Sequence, residues 1–265
     1  MNAFSKNDLE RFGETYAEQG YLIFRDVVPA AQLTDLKQRI FAVFEESKGS
    51  GKLFSGGGNI SGHLNCFPGE GSRFAFEALE QRGVVDVIKE LYQKPMALRV
   101  SCNLNLPNSV AQHYHMDGVF AEDFMIANVA VVDTDLVNGA IDLLPGTHKR
   151  FYEFWRYAIE RRYKLTTRFR MNQGDVLIRT SRLWHRGMPN KSNTPRPMLA
   201  FTFGEKVAPK GDPFAVDEGK ISFTPNWFRP NFLGRLRERT FVTAPITYSM
   251  YRFARSLAGP KGYDA

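Results

Sequence analysis

The stretch from residue 113 to residue 120, HYHMDGVF, places two histidines and an aspartate at alternate positions. On a β-strand alternate side chains share one face, so His113, His115 and Asp117 are predicted to point the same way. Two imidazoles and a carboxylate suit a divalent transition metal. A His-x-Asp pair joined by one distant histidine is the ligand set of non-haem Fe(II) oxygenases. Such a pair is common by chance, so the hypothesis needs a third ligand and a cosubstrate anchor.

Both requirements are met further along the chain. His185 follows an apolar run in GDVLIRTSRLWHRGMPN, at the end of a predicted strand and just before a Gly-x-Pro turn. Arg196 comes eleven residues later, where the next apolar run, PMLAFTF, begins. A guanidinium in that position can hold a carboxylate through two parallel hydrogen bonds.

Several elements precede this part of the chain. Apolar spacing predicts a helix over 7–19, a second helix that begins at Pro29, and a third over 83–92. A short apolar run at 21–24 predicts a strand. The glycine-rich stretch 47–62 is predicted to be a mobile loop that buries little.

From about residue 97 the pattern changes to short strands separated by turns. Strands are predicted at 97–105, 112–117, 125–133, 140–144, 175–180 and 197–204. A helical insert is predicted over 150–166, and basic helical pieces over 228–258. These patterns indicate an α+β protein with a sandwich or barrel core. We expect one domain over 1–265, with a β-core at about 96–206 and a helical tail at about 227–258.

The combined motifs resemble the phytanoyl-CoA dioxygenase-like family of Fe(II)/2-oxoglutarate oxygenases. The resemblance extends from the N-terminal helix to about Phe203, in the order and with the spacing of that family. It implies a double-stranded β-helix, or jelly-roll, with helices packed outside. The matching pieces are His115-x-Asp117, Gly139-Ala140, Leu144-Pro145-Gly146-Thr147-His148-Lys149, Gly174-Asp175, His185, Asn190 and Arg196.

The resemblance also implies roles for individual residues. His115, Asp117 and His185 correspond to the iron ligands, and Arg196 to the residue that binds the distal carboxylate of 2-oxoglutarate. O2 is the other cosubstrate, and the products are a hydroxylated substrate, succinate and CO2. Relatives that halogenate lack the carboxylate ligand, so the presence of Asp117 favours hydroxylation.

Four further residues are assigned to the surroundings of the site. Asn128 or Gln112 is expected to contact the end of 2-oxoglutarate that chelates iron. His113 is expected either to contact substrate or to pack in the core. Arg186 follows His185 directly and is expected either to reach substrate or to face solvent.

Charge is concentrated in two segments. The net charge is +7, and basic residues cluster in 148–170 and from 229 to the end. These segments fit solvated faces, an anionic small-molecule, lipid-linked or sugar-linked substrate, or a membrane surface; nucleic acid is the least favoured partner. The alternative to an enzyme is an inactive β-core protein that binds an anionic ligand, a membrane or nucleic acid through these segments.

Targeting features suggest where the chain works. No stretch is apolar enough to span a membrane, and the N-terminus MNAFSKNDLERF lacks the apolar region of a secretory signal. The two cysteines, Cys66 and Cys102, are too few for a disulfide framework. We therefore expect a cytoplasmic protein, with peripheral attachment at the inner face of a membrane left open.

Overall fold

The computed structural model describes residues 4–205 and 211–259. In these ranges the helices are α1 (Lys6–Gln19), α2 (Ala30–Gly49), α3 (Arg73–Gln81), α4 (Val84–Tyr92), α5 (Phe154–Ile159), α6 (Phe232–Thr243) and α7 (Pro245–Leu257). The strands are β1 (Tyr21–Phe24), β2 (His63–Phe67), β3 (Ala97–Asn105), β4 (Met125–Ala130), β5 (Ile141–Leu143), β6 (Thr167–Phe169), β7 (Val176–Thr180), β8 (His185–Gly187), β9 (Arg196–Gly204) and β10 (Ser222–Thr224).

The strands form two antiparallel sheets. The major sheet has the order β1-β7-β4-β9-β3-β2-β10, and the minor sheet has the order β6-β5-β8. Residues of both sheets line one cavity, so the sheets face each other across it. The expected α+β architecture with a jelly-roll core is confirmed.

The two faces of the major sheet have different chemistry. Side chains alternate between the faces, and the outward ones on β3, β4, β7 and β9 are apolar. They pack against α2, α3 and α4, whose Leu33, Leu36, Ile40, Leu79 and Ile88 are fully buried. The inward residues are more polar and line the cavity. The helices therefore stabilise the sheet from outside and leave its inner face for the site.

Local signals explain the first elements. Ser5 and Asp8 form a capping box at the start of α1, and Gly20 ends the helix with φ of 84°. The chain then turns directly into β1, which pairs with β7. The helices at 7–19 and from Pro29, and the strand at 21–24, are confirmed to within a residue.

The predicted strand at 112–117 is wrong. The segment runs beside β8, but Gln112 N–H donates to the Gly187 carbonyl while His115 N–H donates to the His185 carbonyl. The three residue steps from Gln112 to His115 thus lie opposite only two steps, from Gly187 to His185. The extra residue forms a bulge, which breaks the alternation of side chains between the two faces. Only an isolated bridge, His115 with His185, remains.

Other boundaries also differ. The strands at 125–133 and 140–144 are shorter, as β4 and β5, and β2 was not predicted. The helical insert expected over 150–166 contains only α5 and a 3-10 turn over 162–165, because Arg161 adopts φ of 53° and ends the helical backbone. The expected end of the β-core, residue 206, lies outside the described residues.

The glycine-rich stretch is not the loop that its composition predicts. α2 continues to Gly49, and the turns that follow bury Gly56, Gly57 and Gly58. The carboxylate of Glu238 on α6 accepts hydrogen bonds from the Ile60 and Ser61 N–H groups. A distant side chain therefore holds this segment in place, and sequence composition carries no signal of that contact.

The tail is helical, as expected. It contains α6 and α7, which separate at Ala244 where Pro245 begins the second helix. Both helices pack on a cluster that includes Phe228, Phe241 and Tyr248. No helix within 4–205 and 211–259 has the length and apolar character to cross a membrane.

Candidate active site

Three predicted residues meet at the edge of the minor sheet. His185 begins β8, His115 bridges to it, and Asp117 N–H donates to the Ser181 carbonyl just before that strand. The His115 Nε2 atom lies 3.7 Å from Asp117 Oδ1, and the His185 Nε2 atom lies 3.6 Å from Asp117 Oδ2. One metal ion at about 2.1 Å from each ligand atom fits such separations. In the described residues this is the group of three with metal-ligating geometry.

Backbone contacts fix the tautomers of both histidines. The Nδ1 atoms of His115 and His185 lie 2.9 Å from the carbonyls of His113 and Leu183 respectively. A carbonyl can only accept, so each Nδ1–H donates and each Nε2 presents its lone pair toward Asp117. Burial lowers the pKa of both imidazoles, that of His185 well below its usual value. Both rings are therefore neutral and able to ligate at neutral pH.

Asp117 is held as an anion. Burial raises the pKa of Asp117, but the positive charge of Arg179 and its hydrogen bond lower it, and the net shift is downward. Arg179 Nη1 donates to Asp117 Oδ2 at 2.7 Å, and its Nε donates to Asn128 Oδ1 at 3.1 Å. Arg179 thereby fixes the carboxylate orientation from the β7 side.

Arg196 lies at the far end of the same cavity. It is 3 % exposed, its Nη2 donates to the Gly139 carbonyl at 3.0 Å, and its Nε has no hydrogen-bond partner among the described residues. Burial lowers the pKa of Arg196 to about 10, so the guanidinium is still charged at neutral pH. A buried cation with an unused donor fits a carboxylate ligand such as that of 2-oxoglutarate.

The cavity has a volume of about 410 Å³, within the range of small-molecule sites. Strand register orders its wall into transverse rows. Asn105 and Arg196 pair at one end, and Arg99 pairs with Thr202 at the other. Thr202 also neighbours Ile126, which neighbours Arg179. Arginine side chains therefore lie at both ends of the cavity, Arg196 at one and Arg99 with Arg179 at the other.

The other predicted residues divide into two pairs. Gln112 and Asn128 both line the cavity, and Gln112 Oε1 accepts the Gly187 N–H at 2.8 Å. His113 and Arg186 are not among the lining residues.

The contacts of His113 and Arg186 explain why neither side chain lines the cavity. The broken alternation turns the His113 ring toward the tail, where its centroid lies 4.8 Å from that of Trp227. Arg186 pairs with the buried Asp142 and lies over the Tyr114 ring. Of the two expectations for His113, these contacts agree with packing, and a role in substrate binding stays a prediction for both residues.

Three basic residues that line the cavity were missed. Arg179 interrupts the apolar run VLIRT, and a charged residue inside a buried strand is a signal that sequence inspection can use. His63 is buried beside the Arg196 end, and its Nε2–H donates to the Val110 carbonyl at 2.7 Å. Arg99 faces the cavity from β3. Neither His63 nor Arg99 carries a sequence motif.

Comparisons with known proteins identify the family and the fold. A family model described as Phytanoyl-CoA dioxygenase (PhyH) matches residues 16–198. The epimerase SnoN, solved with Fe3+, alpha ketoglutarate and nogalamycin RO, is similar with a TM-score of 0.60 and 19% identity, over 79% of this chain and 90% of that one. The carbocyclase SnoK from nogalamycin biosynthesis has a TM-score of 0.59 and 17% identity, over 87% and 97%.

A third structure is HygX from Streptomyces hygroscopicus with nickel and 2-oxoglutarate bound. Its TM-score is 0.54 at 14% identity, over 77% of this chain and 88% of that one. At these identities the structural likeness shows the fold. The family model covers well over half of the chain, and enzymes of that family use Fe(II), 2-oxoglutarate and O2. The chain therefore belongs to the phytanoyl-CoA dioxygenase (PhyH) family.

Proposed function

We propose that this protein is an Fe(II)/2-oxoglutarate-dependent dioxygenase that hydroxylates an unactivated C–H bond of a small anionic substrate, free or linked to lipid or sugar. One observation carries the proposal. Two neutral imidazoles and an ionised carboxylate converge in the same cavity as a buried arginine that no carboxylate neutralises in the described residues. An inactive binding protein has no use for that combination.

His115, Asp117 and His185 would hold the iron. When bound, the iron with 2-oxoglutarate and O2 supplies the oxidation, and one O2 and one 2-oxoglutarate yield succinate, CO2 and the hydroxylated product. The protein's own part is to keep both imidazoles neutral, to keep Asp117 charged and oriented, and to exclude bulk water. Burial and the Arg179 contact perform the first two tasks.

Arg196 would bind the distal carboxylate of 2-oxoglutarate. Its unused Nε–H and its second amino group can both donate to that group. Gln112 or Asn128 is proposed for the opposite end of the cosubstrate, since both line the cavity that contains Arg196 and the metal ligands. Three arginines and one aspartate leave the cavity wall positive, which favours a dianion even before the metal binds.

The substrate would occupy the end of the cavity away from Arg196. Arg99 is exposed there, next to Thr202, and supports the anionic character that we propose for the substrate. Apolar side chains of Phe124, Ile126 and Trp227 line the same cavity and can surround a hydrocarbon portion. That SnoN was crystallised with the small molecule nogalamycin RO supports a small-molecule substrate.

Succinate release tests the proposal. Metal-free protein supplied with Fe(II), 2-oxoglutarate and air is expected to form succinate slowly, and Asp117→Ala is expected to abolish it. The control is Asp123→Ala, since the Asp123 carboxylate pairs with Arg182 rather than lying in the group of metal ligands. Equal succinate formation by wild type and Asp117→Ala would contradict the assignment.

A substrate screen follows from the same assay. Carboxylated and phosphorylated small molecules are expected to stimulate succinate release more than their neutral analogues. Arg99→Gln is expected to raise the KM for a stimulating anion about tenfold, whereas the KM for the cosubstrate should not change. A panel in which only neutral compounds stimulate would refute the anionic class.

We also propose that the reaction takes place in the cytoplasm, where Cys66 and Cys102, which face each other across β2 and β3, stay reduced.

A further inference from the structure

Helix α7 buries Tyr248, Arg252 and Ser256 on the side that faces the body of the protein. Arg252 is 1 % exposed, donates from Nη1 to the Tyr114 carbonyl at 2.8 Å and lies over the Phe154 ring. Ser256, one turn later, is also buried. The opposite side carries Ile246 and Met250, which are 76 % and 67 % exposed. A helix that buries an arginine and exposes isoleucine and methionine is arranged for an apolar partner.

Helix α6 exposes a second set of large apolar side chains. Phe232 and Leu233 are 69 % and 71 % exposed, while Glu238 and Phe241 face the body of the protein. The two helices pack on one aromatic cluster, so both direct their apolar side chains away from the body. We call this surface the tail patch; it comprises Phe232, Leu233, Leu236, Ile246, Met250 and Leu257.

The exposed charge within the tail segment itself is of one sign. Between residues 226 and 259 the sequence has a single acidic residue, Glu238, and it is fully buried. Arg229, Arg239 and Arg255 are exposed on the same segment. A second copy of this chain would place these arginines against their own counterparts, which disfavours self-association. Apolar side chains flanked by arginines fit the boundary between lipid headgroups and acyl chains in an anionic bilayer.

We propose that the tail patch docks the protein on a membrane surface rich in anionic phospholipid. The tail also reaches the cavity, because Asn226 and Trp227, a few residues before α6, line it. Docking needs neither metal nor cosubstrate. Its failure would therefore leave the proposed dioxygenase activity untouched.

Vesicle flotation of the full chain is the test. The protein is expected to float with vesicles of equal phosphatidylglycerol and phosphatidylcholine at least roughly tenfold more than with phosphatidylcholine alone, and added salt should reduce the difference. Ile246→Ser with Met250→Ser, and separately Arg239→Glu with Arg255→Glu, are each expected to weaken flotation roughly tenfold. All four positions are exposed, so the thermal midpoint should not change.

Leu136→Ser with Val137→Ser is the matched control. These side chains are 46 % and 53 % exposed on a loop outside the tail, and flotation should remain at the wild-type level. No flotation, equal flotation with both vesicle types, or flotation unaffected by the tail-patch variants would overturn the proposal. So would light scattering that shows a wild-type dimer converted to a monomer by Ile246→Ser with Met250→Ser, since the patch would then be a contact between copies.

Discussion

At the scale of single residues, Arg179 is the group that the site depends on without being a ligand. Its guanidinium contacts Asp117 and offsets the effect of burial on that carboxyl. Removing a neighbouring positive charge raises the pKa of a carboxyl group. Arg179→Gln is therefore expected to move the acid limb of Co(II) binding to higher pH, with roughly a tenfold loss of affinity in the acidic range.

Isothermal titration with Co(II) at several pH values measures this effect. Arg182→Gln is the control, since Arg182 pairs with Asp123 rather than with a metal ligand. A binding profile for Arg179→Gln that overlays the wild-type profile at every pH would show that Arg179 does not support Asp117.

His63 makes a separate prediction about acid stability. Burial lowers the pKa of His63 to about 4, against about 6.5 in an unfolded chain. The unfolded chain binds the extra proton, so stability is fully present above pH 6.5 and decreases as the pH falls toward 4. Between pH 7 and pH 5 this one group removes about 2 kcal/mol from the free energy of unfolding.

Urea denaturation of the metal-free protein at the two pH values tests it. His63→Gln can still donate to the Val110 carbonyl but does not titrate. Between pH 7 and pH 5 the free energy of unfolding is expected to fall for both proteins. The loss should be smaller for His63→Gln than for the wild type by about 2 kcal/mol. Equal losses would mean that His63 is protonated in the folded protein.

At the scale of elements, the junction between the glycine-rich segment and α6 depends on Glu238. Its Oε1 atom accepts from Ile60 N–H, Ser61 N–H and the Ser61 hydroxyl. Glu238→Ala removes the acceptor of the Ile60 and Ser61 N–H groups, the second of them buried, and is expected to lower the free energy of unfolding by about 3 kcal/mol. Glu238→Gln keeps an acceptor oxygen and should cost clearly less.

Urea denaturation reports the stability of the two variants, and limited proteolysis reports the segment itself. Glu238→Ala is expected to become sensitive to cleavage within 50–62, whereas Glu238→Gln is not. If the two variants had the same stability and the same cleavage pattern, the carboxylate would not be what holds the segment.

The same junction shows which parts of the fold could be predicted from the sequence and which could not. Local periodicity and capping predicted α1, β1, β3 and β9 closely, because their signals lie within the elements themselves. The order of segment 58–62 depends on a residue about 180 positions away, so composition alone predicted a mobile loop. The prediction of a strand at 112–117 was wrong for a similar reason, because the register of this segment is set by its partner, β8.

At the scale of the whole molecule, the jelly-roll brings together residues that are far apart in sequence. His115, Asp117, His185 and Arg196 were selected from spacing, and the structure places all four in one cavity. Their binding of iron and cosubstrate stays a prediction. Arg99 and His63 join them through strand register, which pairs distant positions and leaves no motif in the sequence. Arg179 joins them in the same way, and its only signal in the sequence is a charge inside an apolar run.

The two faces of the major sheet and the tail have different roles in the molecule. The outer face of the major sheet stabilises the fold through α2, α3 and α4, and the inner face carries the polar groups of the site. The tail closes one side of the cavity through Trp227 and directs its own apolar side chains outward. Substitutions in the tail patch are thus expected to change membrane binding without changing the affinity for 2-oxoglutarate.

The most direct test of the central claim is an anaerobic titration. Fe(II) and 2-oxoglutarate are added to metal-free protein, and the weak metal-to-ligand charge-transfer band in the visible spectrum is recorded for wild type, Arg196→Ala and the control Arg182→Ala. A band is expected in wild type and in Arg182→Ala, and its loss is expected in Arg196→Ala at the same 2-oxoglutarate concentration. A folded wild-type protein without the band, or an undiminished band in Arg196→Ala, would contradict the assignment of the cavity as an iron and 2-oxoglutarate site.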